Sequence, residues 1–193
     1  MEQAKSKDVV SSGLIARPGS DEQLIAMGEY FFECYDKDGN LKWTDIAKNL
    51  VVTEGLQYMA GTSLDGATAR ITVWYIGLVT GPGASNTYLP ANTTSSHAGW
   101  AENVSYSQSV RQTAQFAAAT LASPSVVTNT ANKAQFSMNP ASPEIIAGAF
   151  LTSDDTKSGT TGKLFSVGNF SGSDRTVSSG DTLQVTYQFS LSA

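Results

Sequence analysis

The chain has little of what catalytic and metal centres are built from. Its 193 residues include one cysteine, Cys34, and one histidine, His97. A single cysteine cannot form an internal disulfide, and one cysteine with one histidine falls short of a structural zinc site. Cys34 lies within an apolar run that has no adjoining cation to stabilise a thiolate, which predicts a buried strand residue. The sequence therefore predicts no metal and no cofactor.

Charge is sparse as well. Charged residues make up 15% of the chain, the net charge is −5, and the 12 lysines and arginines are scattered singly. No basic run is present to neutralise nucleic-acid phosphates or anionic lipid headgroups. No apolar run approaches the roughly 20 residues that cross a bilayer, and the first 30 residues lack the apolar core of a secretory signal. We expect a protein made in a reducing cytoplasm that binds neither nucleic acid nor membrane.

What the sequence does contain is short apolar runs separated by serine, threonine, glycine and aspartate. Residues 145–187 show the pattern most clearly, with three such runs and turn-forming loops between them. Runs of this length bounded by turn residues are typical of consecutive antiparallel strands, and about ten of them follow one another along the chain. Their regular spacing favours a sandwich or barrel. We predict an all-β fold, a single antiparallel β-sandwich of jelly-roll type.

Two local elements stand out within this pattern. Residues 29–46 predict a hairpin around the turn 36–40, which is interpreted as a turn because a calcium loop would need glycine and glutamate where Leu41 and Ala47 stand. Residues 53–60 predict one short helix. In that helix Thr53 would cap the first turn, Leu56, Met59 and Ala60 recur at helical spacing, and Gly61 would end it.

The first 27 residues differ from the rest, because their apolar residues have no sustained period. We divide the chain into an extended N-terminal arm, residues 1–27, and a sandwich domain, residues 28–193. Such an arm buries little alone, but its apolar residues can dock on a neighbouring molecule. A passive terminus is the alternative. The expected anchors are Leu14, Ile15, Leu24 and Ile25.

Residues that are able to perform chemistry are better explained as turn residues. His97 has no serine in the setting of an activated nucleophile. The four aspartates that could pair as general acid and base each lie in a serine-, threonine- or glycine-rich turn, where aspartate bonds nearby backbone amides. They are Asp154, Asp155, Asp174 and Asp181. We predict that the protein is not an enzyme.

A long loop, residues 81–99, separates two predicted strands, and loops of this length are usually functional or linkers. Tyr88 and Trp100 flank it and are candidates for an exposed aromatic platform of the kind that binds sugars. The alternative is that both residues pack the loop onto the sandwich.

Several segments, which cover about residues 28–190, are similar to a family of tailed-phage virion proteins. The similarity rests on turn-and-strand signatures and leaves the arm outside. The matching segments are ECYDKDGNLKW (33–43), NLVVTEGL (49–56), WYIGL (74–78), SHAGW (96–100) with Glu102 and Tyr106, GAFLT (148–152), GTTGKL (159–164) and GDTLQVTY (180–187).

The members of that family to which a role can be given resemble jelly-roll capsid cement or decoration proteins. The resemblance implies a protein on the exterior of the virion head, made in the host bacterial cytoplasm. Its expected partners are the phage major capsid protein and further copies of itself, as a homodimer or homotrimer. The alternative function is a tail or head-fibre component whose loops bind host-surface glycans.

Overall fold

The structure, a computed structural model, describes residues 25–172 and 174–192. Within those ranges an antiparallel sheet of eleven strands accompanies one α-helix, α1, at Thr53–Ala60. The strands are β1 Ile25–Tyr35, β2 Leu41–Val51, β3 Trp74–Thr80, β4 Glu102–Asn103, β5 Gln112–Ala114, β6 Ser125–Thr128, β7 Ala134–Ser137, β8 Glu144–Thr152, β9 Leu164–Phe170, β10 Arg175–Val177 and β11 Thr182–Ser192.

The strands are hydrogen-bonded in the order β4-β3-β8-β9-β2-β1-β11-β6, with β5 on β3, β10 on β8 and β7 on β11. The segment after β4 also meets the end of β7, since Tyr106 and Met138 form an isolated antiparallel bridge and the Ser107 amide donates to the Ser137 carbonyl at 2.9 Å. The sheet thus folds back over its own core as an antiparallel β-sandwich. The predicted all-β fold is confirmed, and the jelly-roll connectivity stays a prediction.

The predicted hairpin is formed by β1 and β2. Its turn is held by the Asp36 carboxylate, which accepts the backbone N–H groups of Asp38 and Asn40 at 2.9 Å each. Gly39 supplies the left-handed conformation that closes the turn, with φ of +84°. The local turn chemistry therefore explains why this hairpin is visible in the sequence.

The boundary between arm and domain differs from the prediction. Strand β1 begins at Ile25, which pairs with Ser192, so residues 25–27 belong to the sheet and not to the arm. The reason is the length of β11, whose last residues offer partners that the apolar pattern of the arm did not reveal. The expected anchors Leu14, Ile15 and Leu24 lie outside the described residues, and Ile25 is a sheet residue.

Helix α1 has the predicted bounds, but Thr53 does not cap it. Val52 is the N-cap, and the backbone N–H of Thr53 donates to the Pro90 carbonyl at 2.8 Å. The helix rests on β9 through Gly55, where an added Cβ would come within 2.4 Å of the Phe165 carbonyl oxygen. Leu56, one of the three residues at helical spacing, is exposed.

Past α1 the chain continues in a π-helical turn, Gly61–Asp65, and stops at Gly66 in the left-handed conformation. Gly61 is the C-cap of α1, as predicted, but it is right-handed and the chain continues directly into the π-helical turn.

The core is filled by aromatic and aliphatic residues from both halves of the sheet. Some of its polar groups are paired: the Tyr30 hydroxyl lies 2.8 Å from Ser166 Oγ, and Asn49 Nδ2 donates to the Tyr187 hydroxyl at 2.8 Å. Asn49 Oδ1 and the Tyr106 hydroxyl are buried without a hydrogen-bond partner among the described residues. The largest fully buried side chains are Tyr30, Tyr187, Phe32, Phe136, Phe150, Ile76, Leu78 and Met138.

Candidate functional site

Loop 81–99 packs onto the sandwich through Trp100. Only 6% of Trp100 is exposed. Its indole is stacked on the His97 ring with centroids 4.0 Å apart, lies 5.1 Å from the Phe150 ring, and donates from Nε1 to Asn92 at 3.2 Å. The expectation that Trp100 presents a ring face to a sugar is therefore wrong, because the loop needs this ring to bury its own apolar surface.

Tyr88 fastens the other end of the same loop. Its hydroxyl donates to the Asn169 side-chain oxygen on β9 and accepts Nδ2 of Asn86 at 3.1 Å. Burial raises the pKa of Tyr88 to about 12, so the hydroxyl keeps its proton at neutral pH. Half-buried Tyr88 lies 6.3 Å from Trp100, centroid to centroid, and the two rings together attach the loop to the sheet.

His97 covers Trp100 and has one ring nitrogen engaged. Its Nδ1 donates to the Trp100 carbonyl at 3.1 Å, which fixes the ring in its stacked position. The side chain thus closes a turn from His97 to Trp100, and its role in the structure is to hold that turn together.

Beside the His97–Trp100 stack lies a cleft of about 550 Å³. Loop residues 94–102 form one wall, and residues 158–160 with Leu164 form the other. Phe150 and Arg111 contribute to its floor, and the rim carries the hydroxyls of Ser95, Ser96 and Ser158. Two segments of the chain, residues 94–102 and 158–164, therefore meet at this cleft.

The floor of the cleft contains a buried ion pair that the sequence did not reveal. Arg111 is 2% exposed, and its guanidinium makes two hydrogen bonds to Glu102, from Nε to Oε1 at 2.9 Å and from a terminal nitrogen to Oε2 at 2.8 Å. Two further donors reach the carbonyl oxygens of Asp154 at 2.9 Å and Gly159 at 3.1 Å. Four of the five N–H donors thus hold Arg111 to β4 and to the loop between β8 and β9.

The partner carboxylate is equally engaged. Glu102 Oε2 also accepts the backbone N–H of Ser158 at 2.8 Å, and Ser158 is held at a φ of +55°. The Arg111 guanidinium stands 5.1 Å from the centre of the Phe150 ring. A buried charge needs a partner and satisfied hydrogen bonds, and this pair meets both conditions. It therefore holds the loop between β8 and β9 against β4.

The four aspartates that were considered as acid–base candidates occupy three turns, since Asp154 and Asp155 are neighbours. Asp154 accepts Thr161 Oγ1 at 2.6 Å, Asp174 accepts the Gly83 N–H at 2.9 Å, and Asp181 pairs with Lys42 at 2.5 Å. Asp155 contributes its backbone carbonyl to the Arg111 N–H at 2.7 Å. The first three thus use their carboxylates to hold neighbouring backbone or side chains in place.

The remaining thiol is buried, as predicted. Desolvation by burial, with the nearby Asp181 charge, raises the pKa of Cys34 to about 12. Over residues 25–172 and 174–192 there is no group of three or more His, Cys, Asp and Glu side chains that could hold a metal ion. In the same part of the chain no helix is both long and apolar enough to span a bilayer.

The chain matches no family model, no curated protein and no solved structure at a significant level.

Proposed function

We propose that this chain is a structural protein of a tailed-phage virion, a cement protein that binds the outside of the icosahedral head and bridges major capsid protein subunits. Two things support the proposal. One is the similarity of seven sequence segments to phage virion proteins. The other is that charged side chains form ion pairs between separate elements of the sandwich.

The use of charge is the observation that carries the proposal. Within the described ranges, four ion pairs join residues on different elements, and a fifth, Arg111–Glu102, joins the segment before β5 to β4. Partly exposed pairs contribute little stability individually, about 0–1 kcal/mol. They hold separate parts of the sandwich together, and a preorganised surface loses less conformational entropy on binding. The four are Lys42–Asp181, Lys133–Glu33, Lys163–Glu54 and Arg175–Asp45, at 2.5, 2.6, 3.6 and 2.7 Å.

The mechanism of a cement protein is mass action. A clamp that binds the assembled lattice and not the free capsid subunits stabilises the shell, because the bound clamps must be released before the shell opens. Packaged DNA presses outwards on that shell, so each boundary between capsomers gains from additional burial across it. The proposed partners are the major capsid protein and further copies of this chain, and the proposed action involves no catalysis and no cofactor.

Deleting residues 1–24 is expected to leave the sandwich folded and to weaken binding to phage heads by at least tenfold. The deletion stops before β1 and removes Leu14, Ile15 and Leu24, each of which contributes about 1.5–3 kcal/mol if fully buried against a partner. The measurement is co-sedimentation of the purified protein with heads that lack it, together with a thermal unfolding curve of each variant.

The matched control for this experiment is deletion of residues 1–8, which are mainly polar and precede all three anchors. This shorter deletion is expected to bind heads nearly as well as the full chain. Equal binding by the full chain and by the variant without residues 1–24 would show that the arm is a passive terminus. Failure of the full chain to bind heads at all would refute the cement assignment.

A further inference from the structure

Strands β1 and β2 separate at Gly28. Glu29 is the last β1 residue paired on both sides, with Lys48 of β2 and Gln188 of β11. Beyond it β2 stays paired with β9, where Asn49 faces Gly168, and leaves β1. Among the described residues, Ile25–Gly28 is therefore hydrogen-bonded to β11 alone, and its second edge carries no strand.

The side chain of Asn49 fills the fork between the two strands. Its Nδ2 is bonded to the Tyr187 hydroxyl, and a Cβ built on Gly28 would lie 2.5 Å from the Asn49 amide. Gly28 is thus the residue that lets the fork form. The separation of β1 and β2 is built into the core and is not a frayed strand end.

The unpaired edge lacks the usual protection. Exposed edges of natural sheets carry lysine, proline or a bulge that prevents pairing with another chain, whereas this one reads Ile25-Ala26-Met27-Gly28. Ile25 and Met27 are 48% and 51% exposed. Met27 is paired with Ser190 of β11, and Ser190 is paired with Val126 of β6, so these side chains lie on the same face of the sheet. The neighbouring strand presents Ser190 and Ser192 to the same face, so the apolar surface of this edge consists of Ile25 and Met27. An uncharged edge that exposes two apolar side chains is suited to pairing.

The opposite edge of the same three-stranded extension is covered. The outer side of β6 is bonded by residues of the preceding loop, since the Ala117 N–H reaches Thr128 O and the Thr120 N–H reaches Val126 O, both at 3.0 Å. The chain thus protects one edge of this extension with its own backbone. The edge at Ile25–Gly28 is the one left available within the described part of the chain.

We infer that the edge of residues 25–28 is a two-fold interface, at which β1 of one copy pairs antiparallel with β1 of a second copy. An antiparallel strand edge is self-complementary under two-fold symmetry, so the same residues serve both copies. The pairing gives every backbone group of the edge a partner. It also brings Ile25 and Met27 of the two copies together on one face of a sheet that is continuous through the dimer.

The direction of the chain supports a second copy as the occupant. Twenty-four residues precede Ile25 in the sequence. An antiparallel pair places Ile25 of one copy beside Gly28 of the other, so the residue at which the arm joins the sheet lies against the neighbouring subunit.

This inference develops the self-association contained in the proposed function, and it is tested on purified protein without phage heads. Its failure leaves head binding untouched, and failure of head binding leaves it untouched. The test is sedimentation velocity of the full chain from about 1 to about 100 µM, a range in which modest interfaces dissociate. The expected species is a dimer whose proportion rises with concentration.

The test variant is Met27→Lys, which adds a charge to an already exposed side chain of the edge. It is expected to raise the dimer dissociation constant by at least tenfold. The matched control is Leu64→Lys, on the π-helical turn, where the leucine is 88% exposed. The control is expected to dimerise like the natural chain. Hydrogen exchange should show slower amide exchange at residues 25–28 at dimeric concentrations in the natural chain and in the control only.

Four results would overturn the inference. They are a natural chain that is monomeric throughout, a trimer, a Met27→Lys variant that dimerises as tightly as the natural chain, and a full chain that dimerises only after residues 1–24 are deleted. The last result would show that each chain covers the edge with its own arm.

Discussion

Replacing Arg111 by methionine is expected to destabilise the protein by about 3–5 kcal/mol, the range observed when one partner of a buried ion pair is removed. Methionine fills much of the same space but supplies none of the donors that hold Glu102 and the carbonyls of Asp154 and Gly159. The Glu102 carboxylate would then remain buried without its cation. Denaturant unfolding, with the slope of the transition compared between variants, measures the change in the free energy of unfolding.

The control for Arg111→Met is Lys133→Met, which removes the partly exposed pair with Glu33 and should cost at most about 1 kcal/mol. A second comparison replaces both partners, Arg111→Met with Glu102→Leu. Removing the stranded carboxylate should make the double variant more stable than Arg111→Met alone. If Arg111→Met lowers the free energy of unfolding by less than about 1 kcal/mol, then the buried pair does not hold β4 and the loop between β8 and β9 together.

The second large effect is expected at Gly148, where β8 and β9 approach too closely for a side chain. A Cβ at this position would lie 1.9 Å from the Gly168 carbonyl oxygen. Because that atom belongs to the backbone of the neighbouring strand, the ladder itself must move to make room. We expect Gly148→Ala to cost at least about 3 kcal/mol, at the upper end of overpacking effects.

The matched control for Gly148→Ala is Gly172→Ala, where the nearest atom to an added Cβ is 3.8 Å away and stability should be nearly unchanged. Both variants are compared with the natural chain by thermal and denaturant unfolding. If Gly148→Ala does not accumulate as folded protein while Gly172→Ala does, the result agrees with the expectation. Equal stability of the two variants would contradict the close packing of β8 on β9.

The parts of the fold that could be predicted are those that depend on local chemistry. The turn between β1 and β2 is specified by Asp36 and Gly39, and the helix at residues 53–60 lies in the predicted place. Of the residues at helical spacing, Met59 packs against the core and Leu56 is exposed, whereas Gly55 is buried by a close contact with β9 and not by its own hydrophobicity. Such a contact depends on which strand packs against the helix. The periodicity of the helix's own residues carries no information about that strand.

The candidate site was harder to predict for the same reason. Trp100 was predicted to be able to face solvent, but it is covered by His97, three residues earlier, and by Phe150 from β8. The pairing of Arg111 with Glu102 depends on segments that the fold brings together. Nothing in the sequence around either residue predicts that they pair. An arginine with no charged residue beside it in a Ser/Thr-rich chain is predicted to lie on the surface, because the sequence does not show which residues it contacts.

The most direct test of the cement assignment is a reconstruction of the whole particle of the phage proposed to carry this protein, combined with the copy number of the chain relative to the major capsid protein. The cement assignment predicts density for the sandwich on the outer surface of the head, at boundaries between capsid subunits, in hundreds of copies per particle. Density confined to the tail or to fibres, with copies in the tens or fewer, would contradict it and favour a host-binding component.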